Sequence, residues 1–315
     1  MALWRSLSAT ALLLTAMAVG LGGGFLSPAR FDTNVILWPA IFAQTVIAVG
    51  GLRPDWLTDS SKRSDAVRLL LVHHTAATAP FLAAWFLLPV DARASPLWVG
   101  LVWLAIVPTA AGLPAYASAA RTAPSTMAAF ALLAYVCGLV VTPLLSLVIF
   151  GGGTDIGRLL VAMFAGLIVP ASLGILLGRW VRRIPPRVRT GVVAVCMTLT
   201  TYVFASAMSD SLAGDEATGT FVAVALLAGA ARIPVSIGIG LLVSARWTGL
   251  RAPSVLAAGY KNDALAASSA LQVAGPLAVI PALGSLLCES LMLLIASFAN
   301  HRRTHRPMPP DTPRP

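Results

Sequence analysis

Charged residues are scarce in this chain of 315 residues, where Asp, Glu, Lys and Arg together occupy only 11% of the positions. A soluble protein of this length needs more polar side chains to cover its surface. Alternation of apolar and polar residues is also missing, which excludes a transmembrane β-barrel. Apolar residues make up 57% of the chain and come in long blocks. Blocks of roughly 17–25 apolar residues suit a helix that crosses a bilayer, so the sequence predicts an all-α polytopic membrane protein.

We predict ten transmembrane helices. They are expected near residues 7–25, 34–52, 67–89, 96–120, 124–150, 156–178, 189–208, 218–245, 253–273 and 276–298. The first span also resembles a cleaved signal peptide, because Arg5 precedes an apolar run followed by small residues. Its run continues through Gly24 and its removal would leave an odd number of spans, which favours a retained helix. The loops are too short for a soluble catalytic domain, so function is expected within the membrane and an enzyme is not.

The positive charges are distributed unevenly between the two sides of the predicted membrane. With a cytoplasmic amino terminus, the inside segments carry 17 of the 22 Lys and Arg residues, and the outside segments carry only Arg30, Arg93 and Arg158. This is the positive-inside pattern. It predicts a multi-pass protein of a bacterial inner membrane with both termini in the cytoplasm. The net charge of +10 then reflects topology and contact with the lipid bilayer, and no nucleic-acid partner is expected.

Cysteine is nearly absent as well. Cys137, Cys196 and Cys288 all lie within apolar runs and form no Cys-x-x-Cys motif, which predicts buried thiols rather than a disulfide or a metal site. No cofactor is expected. Residues 1–300 are predicted to form one membrane transporter domain, and the Pro- and Arg-rich segment 301–315 a disordered cytoplasmic tail.

The fourth span contains an irregular stretch. Pro108 and Pro114 flank Thr109 and Gly112, and the two prolines remove two backbone donors from the middle of the span. A simple proline kink is one interpretation. The other is a helix broken at mid-bilayer, where free amides and half-helix ends can hold an ion or an anionic group.

The ninth span is interrupted at a corresponding place. Polar or amphipathic residues follow Gly259 within an apolar run, namely Tyr260, Lys261, Asn262 and Asp263. Positions 111 and 261 are 150 residues apart, and the repeats at about 5–150 and 154–299 each hold five spans. An odd number of spans per half predicts two inverted five-helix repeats with crossing discontinuous helices 4 and 9, which is typical of a transporter site.

Ionisable residues inside the spans point to the same region. Asp263 and Glu289 are the only acidic residues deep in predicted spans. A lysine at mid-span costs on the order of 2.5–3.5 kcal/mol on insertion scales, so Lys261 is expected to face a cavity or a partner. Snorkelling is the alternative, although Lys261 lies about ten residues from either end of its span. Lys261 and Asp263 would diverge on a regular helix and can pair only if the helix is unwound.

Other polar residues give weaker indications. His73 and His74 precede Thr75 in the third span and could relay protons, although packing histidines are an equal alternative. Glu289 could be a protonated carboxyl or part of that relay. Arg232 is expected to anchor near a helix break before Pro234.

Two stretches resemble the bile acid/sodium symporter superfamily. Pro108, Arg121, Thr142 and Pro143 keep the spacing of its fourth and fifth helices, and residues 259–266 resemble the core of its second crossing helix. The resemblance implies ten spans in two inverted halves. It also implies secondary transport, with candidate binding residues at the two interruptions and in the third span: Thr75, Pro108, Thr109, Gly112, Pro114, Gly259, Lys261, Asn262 and Asp263. His74 and Glu289 are candidates for a proton relay.

The sodium ligands of that family are largely replaced in this chain. The aligned positions hold Leu113, Pro114, Met127, Ala131, Ala257 and Lys261, and only Asn262 is kept. Sodium prefers several oxygen ligands, so we expect the sodium site to be lost and Lys261 to substitute for the ion. The prediction is a transporter of a small organic anion that is sodium-independent or proton-coupled. The alternatives are a degenerate non-transporting sensor or binding subunit of the same fold, the arsenite-efflux branch, which a missing cysteine in the fourth span disfavours, and an intramembrane enzyme.

Overall fold

The computed structural model describes residues 2–29, 34–51, 59–110, 112–119, 122–151, 155–213 and 219–304. It is 88% helical, and no β-strand occurs among the described residues. The α-helices are α1 (Ala2–Leu26), α2 (Asn34–Gly50), α3 (Ser60–Val72), α4 (Ala79–Leu87), α5 (Val90–Arg93), α6 (Pro96–Ile106), α7 (Leu113–Ala119), α8 (Pro124–Phe150), α9 (Ile156–Met163), α10 (Val169–Leu176), α11 (Gly178–Val181), α12 (Pro186–Ala213), α13 (Gly219–Val243), α14 (Arg251–Gly259), α15 (Asp263–Ala274) and α16 (Ile280–Thr304).

Among the described residues, five helical stretches are long and apolar enough to cross a membrane. They are Ser60–Leu87, Pro124–Phe150, Ile156–Leu176, Pro186–Ser209 and Gly219–Val243. Shorter apolar helices lie at Ala11–Leu26, Val35–Gly50, Pro96–Ile106 and Pro276–Met292. Many large apolar side chains on these helices are exposed, as expected for surfaces that face lipid rather than water. The composition and the helices together are compatible with a helical membrane protein.

The helical segments follow the predicted spans closely. In order, the ten spans correspond to α1, α2, α3 with α4, α6 with α7, α8, α9 with α10, α12, α13, α14 with α15, and α16. Helix α16 continues through Thr304, four residues into the predicted tail, and residues 305–315 lie outside the described part. Arg30 and Arg121, used above for topology and for the resemblance, also lie outside it.

Helix ends are set by local sequence. Asp59 caps α3 because its side chain accepts hydrogen bonds from the amides of Ser61 and Lys62. This hydrogen bonding, led by the Ser61 hydroxyl, lowers the pKa of the Asp59 carboxyl. Helix α8 begins with Pro124 and ends at Phe150, and the following Gly151 has a φ of 60°, which favours glycine.

Two helix pairs pack closely through glycines. A Cβ at Gly20 of α1 would collide with Thr201 and the Thr198 carbonyl of α12. A Cβ at Gly229 of α13 would collide with the Pro281 carbonyl of α16. Small residues permit such backbone contact between membrane helices. These contacts hold α1 against α12 and α13 against α16.

Candidate functional site

Spans 4 and 9 are both broken, and the breaks contact each other. Helix α6 ends at Ile106 and α7 begins at Leu113, whereas α14 ends at Gly259 and α15 begins at Asp263. Thr109 and Lys261 form an isolated antiparallel bridge between the two extended segments. The Asn262 amide donates to the Pro108 carbonyl at 2.9 Å, and the Thr109 hydroxyl donates to the Tyr260 carbonyl at 2.9 Å. The interruptions predicted at both places therefore form one structural unit.

Pro108 explains the first break. Proline disfavours the helical conformation at the preceding residue, and Val107 is extended with φ −68° and ψ 152°. The carbonyl groups at the end of α6 thereby lose their helical donors and need other partners. The Thr142 hydroxyl donates to the Ile106 carbonyl at 2.7 Å, which gives Thr142 a structural function in this region. The carbonyls of Ala105 and Val107 point to Lys261.

Four hydrogen-bond acceptors, which we name the acceptor nest, surround the Lys261 ammonium at the carboxyl end of α6. Its Nζ donates to the Ala105 carbonyl at 2.9 Å and to the Val107 carbonyl at 3.0 Å. It also contacts His73 Nε2 at 2.9 Å and the Thr78 hydroxyl at 3.3 Å. The side chain is only 1% exposed. Every ammonium proton has a protein acceptor, and the negative end of the α6 dipole stabilises the charge.

The protonation of His73 follows from its two contacts. Its Nδ1 lies 2.8 Å from the Ala257 carbonyl, which only accepts, so we assign the ring proton to Nδ1. Nε2 then carries the lone pair and accepts from Lys261 Nζ. A single proton lies between Nε2 and Nζ, so the His73–Lys261 pair satisfies all its hydrogen bonds when it carries one positive charge.

A π-helical segment brings His73 and Thr78 to the same lysine. The π-helix spans His73–Thr78, between α3 and α4. Residues five apart lie about 140° away from each other around an α-helix, whereas the wider π-turn aligns i with i+5. The segment therefore presents both side chains to Lys261, which an α-helix would not do.

A buried ion pair supports the second break from the other side. Arg232 Nη2 donates to the Gly259 carbonyl at 2.9 Å and to Ser285 Oγ at 2.8 Å, and it lies 3.3 Å from Glu289 Oε1. Glu289 Oε1 also accepts from the Lys261 amide at 3.1 Å. The predicted helix break before Pro234 is wrong, because α13 runs continuously from Gly219 to Val243 with this proline inside it. Arg232 binds the break in span 9 instead.

Two predicted site residues in span 3 lie differently from expectation. The Thr75 hydroxyl donates back to the Leu71 carbonyl of its own helix at 2.8 Å. His74 is half-buried, with its ring edge-on to His73 at 5.3 Å between centroids. The residues of this span that contact Lys261 are His73 and Thr78. No sequence pattern distinguished the two histidines, since a π-turn leaves no clear signature.

Lys261 and Asp263 diverge although their backbone is unwound. The ammonium is held by the acceptor nest, and neither Asp263 oxygen reaches hydrogen-bond geometry with a donor in the described part of the chain. Asn262, between them, caps α15 by accepting from the Leu265 amide at 3.0 Å. The backbone is unwound, as a Lys261–Asp263 pair would require, but the two side chains do not pair, and Asp263 faces elsewhere.

Asp263 lines a small cavity beside the two breaks, whose walls carry both polar and apolar side chains. Its volume of about 60 Å³ leaves room for a few water molecules. One wall comes from α2 and α12 and includes Gln44, Thr45, Thr200 and Thr201. The facing wall comes from the two broken spans and α16 and includes Gly112, Tyr116, Asn262, Asp263 and Glu289. Gly112 contributes there, and Pro114 is buried at the start of α7.

The sequence of this chain matches no protein-family model and no curated protein. The resemblance to the bile acid/sodium symporters therefore stays a prediction. What the structure itself shows is an all-helical protein, compatible with a membrane protein, in which two broken helices contact each other beside buried charged residues.

Proposed function

We propose that this protein is a secondary active transporter that moves a small organic anion by alternating access. The observation that carries the proposal is the hydrogen-bonded contact of two broken helices beside a cavity that Asn262, Asp263 and Glu289 help to line. Irregular backbone at membrane depth is tolerated only where protein buries it or where it lines a cavity. Paired interruptions of this kind are typical of transporter binding sites. We infer no enzymatic activity.

The pattern of helix contacts supports ten spans in two inverted five-helix repeats. Exchanging spans 1–5 with spans 6–10 converts a contact between spans 1 and 7 into a contact between spans 6 and 2. Both contacts occur, the first as α1 with α12 and the second as α10 with α2. Likewise the pair 3–5 becomes 8–10, and both occur as α3 with α8 and α13 with α16. The interrupted spans 4 and 9 exchange with each other. A bacterial inner-membrane location with both termini cytoplasmic completes the proposed topology.

The same contacts divide the spans into two groups. Spans 1, 2, 6 and 7, which we name the panel, pack mainly on one another, and the other six, which we name the core, contain both breaks. The cavity lies between the panel and the core, since α2 and α12 form one wall and the broken spans the other. Motion of the core against the panel would open this cavity to each side in turn.

Lys261 supports transport that is independent of sodium. Its ammonium is bound by two backbone carbonyls, a hydroxyl and an imidazole nitrogen, as a cation would be. As an ammonium, the lysine thus supplies a positive charge where the resemblance implies a sodium ion. Its field, rather than direct contact, contributes to the attraction of an anion into the cavity.

A non-transporting sensor or binding subunit is the second candidate. The small cavity and the covalently anchored cation favour it, because neither requires an ion to enter or leave. A sensor would bind a ligand without net flux, whereas a transporter must release it on the opposite side.

Reconstitution tests the proposal. The protein is incorporated into liposomes and supplied with labelled mono- and dicarboxylates under an imposed proton or sodium gradient. We expect uptake of at least one acid, driven by the proton gradient, with sodium without effect. The Lys261→Ala variant should lose flux or change its coupling, and liposomes without protein are the control. Binding without flux would favour the sensor, and uptake that required sodium and ignored pH would contradict the proposed coupling.

A further inference from the structure

The carboxyl group of Asp263 is buried without a hydrogen-bond donor. The residue is 5% exposed and stands at the first position of α15. Neither carboxylate oxygen has a hydrogen-bond partner among the described residues. Ser285 and Glu289 approach it without reaching that geometry. The group lines the cavity between the panel and the core, so a ligand bound there could supply the missing hydrogen-bond donor.

The charged groups around Asp263 already have partners of their own. From α13, Arg232 is bound to Glu289 of α16 at 3.3 Å. From the break itself, the Lys261 ammonium is held by its acceptor nest. Tyr116 of α7 is the remaining titratable side chain on the cavity wall, and the α2 and α12 wall contributes uncharged groups. Arg232 and Lys261 favour a negative charge on Asp263, whereas its burial opposes that charge.

A buried carboxylate without a donor is costly, and binding of a proton removes the cost. The protonated carboxyl is neutral and gains an O–H donor that it can offer to a ligand. An anion in the cavity would experience the opposite effects of the two states. Repulsion by the charged carboxylate lowers the affinity of the anion by about a hundredfold, whereas the protonated carboxyl is neutral and allows the anion to bind.

We propose that Asp263 is the coupling carboxyl of this protein, and that it binds the proton that travels with the anion. The proton attaches to a carboxylate oxygen from one side, the anion binds next to the neutral group, and both leave on the other side. For a monoanion the transported charge sums to zero. The step rests on the proposed transport function, but the proton site itself can be tested without a substrate.

Infrared difference spectroscopy between alkaline and acidic pH provides that test, with the proton alone as the probe. We expect a band of a protonated carboxyl that shifts when the protein is grown with ¹³C-aspartate, is absent in Asp263→Asn and returns in Asp263→Glu. The isotope shift identifies the residue type, and the variants identify the position, because the chain has ten aspartates and two glutamates. If Asp263→Asn does not fold, Asp263→Glu decides, since its band should shift with ¹³C-glutamate instead of ¹³C-aspartate. In the unaltered protein, a shift with ¹³C-glutamate that is lost in Glu289→Gln would assign the proton to Glu289 and overturn the proposal. Loss of the band on addition of sodium at constant pH would identify a cation site and also overturn it.

Transport then tests the coupling. For a labelled monocarboxylate that the protein carries, the apparent affinity should fall about tenfold per pH unit on the alkaline side, and a membrane potential should not drive uptake. Asp263→Asn should exchange the acid across the membrane without pH dependence and without accumulation. Accumulation by Asp263→Asn would overturn the coupling. If the unaltered protein carried no acid at all, the proposed transport would fail, while the infrared result would still decide the proton site.

Discussion

At the scale of single residues, the position of the Lys261 Nζ decides how the site is charged. The ammonium donates to carbonyl oxygens at the end of α6 that have no hydrogen-bond donor within that helix. Lys261 therefore satisfies the helix end as well as carrying a charge. Its removal would leave several buried acceptors without a donor. The lysine therefore acts as a built-in cation of the broken helix.

Lys261→Ala should destabilise the protein and create a site for small cations. Each buried acceptor left without a donor costs roughly 1–3 kcal/mol, so the unfolding temperature in detergent should fall clearly. Ammonium or methylammonium should restore part of it, because either can donate to the vacated carbonyls. Lys261→Met is the matched control, since its side chain fills the space and leaves no room for an ion. Equal rescue of both variants would contradict the built-in cation.

Removal of one partner of the Arg232–Glu289 pair should be severe. Glu289→Gln leaves the arginine charge buried without its counter-ion, and breaking such a pair costs about 3–5 kcal/mol. The double variant Arg232→Met/Glu289→Met should be less destabilised than Glu289→Gln, because no charge is left unpaired. Thermal unfolding of the three proteins measures this. If the double variant proved the least stable, the pair would be doing more than neutralising charge.

The sequence predicted which buried charges matter but not how they pair. Lys261, Asp263 and Glu289 stand out because charge inside an apolar run is expensive. The contact of His73 with Lys261 depends on a π-turn, and the contact of Arg232 with Glu289 joins residues 57 positions apart. Neither arrangement follows from local spacing, so the sequence predicts a cavity or a partner for Lys261 without identifying His73.

At the scale of helices, proline has two outcomes in this fold. Pro108 ends α6, where extended backbone finds partners in the second break. Pro234 lies inside a continuous α13. Neighbouring helices can satisfy the carbonyls that a proline frees, so the residue alone does not determine which outcome occurs. The two breaks were predictable because glycine and polar residues occur together with the proline in span 4 and in place of a proline in span 9.

Gly229→Ala should weaken the contact between α13 and α16. A Cβ at this position would collide with the Pro281 carbonyl, and overpacking of this kind costs typically about 1–3 kcal/mol. Gly238→Ala is the control in the same helix, because a Cβ there meets nothing within 4 Å. It should be neutral or raise stability by up to about 1 kcal/mol through helix propensity. Thermal unfolding in detergent compares the two, and equal effects would show that the close approach is not required.

At the scale of the whole molecule, the two breaks join elements that are far apart in the chain. Spans 4 and 9 exchange backbone hydrogen bonds, and span 3 and span 10 hold them from opposite sides through His73 and Glu289. These contacts connect the core into one body. The panel touches it across the cavity and through α1 against α16. Such a division lets the core move without breaking the charged network.

A cross-link between panel and core should therefore block transport. Ser290 of α16 donates to Met17 of α1 at 3.0 Å, so cysteines at these two positions would join the groups. In a background with the three native cysteines replaced by alanine, we expect a short thiol cross-linker to abolish flux in Met17→Cys/Ser290→Cys, and cleavage of the linker to restore it. Ala29→Cys/Ser206→Cys is the matched control, because it joins α12 to the segment after α1 within the panel. Flux that survived the first cross-link would mean that the core does not move against the panel, whereas a block by both would point to deformation within the panel itself.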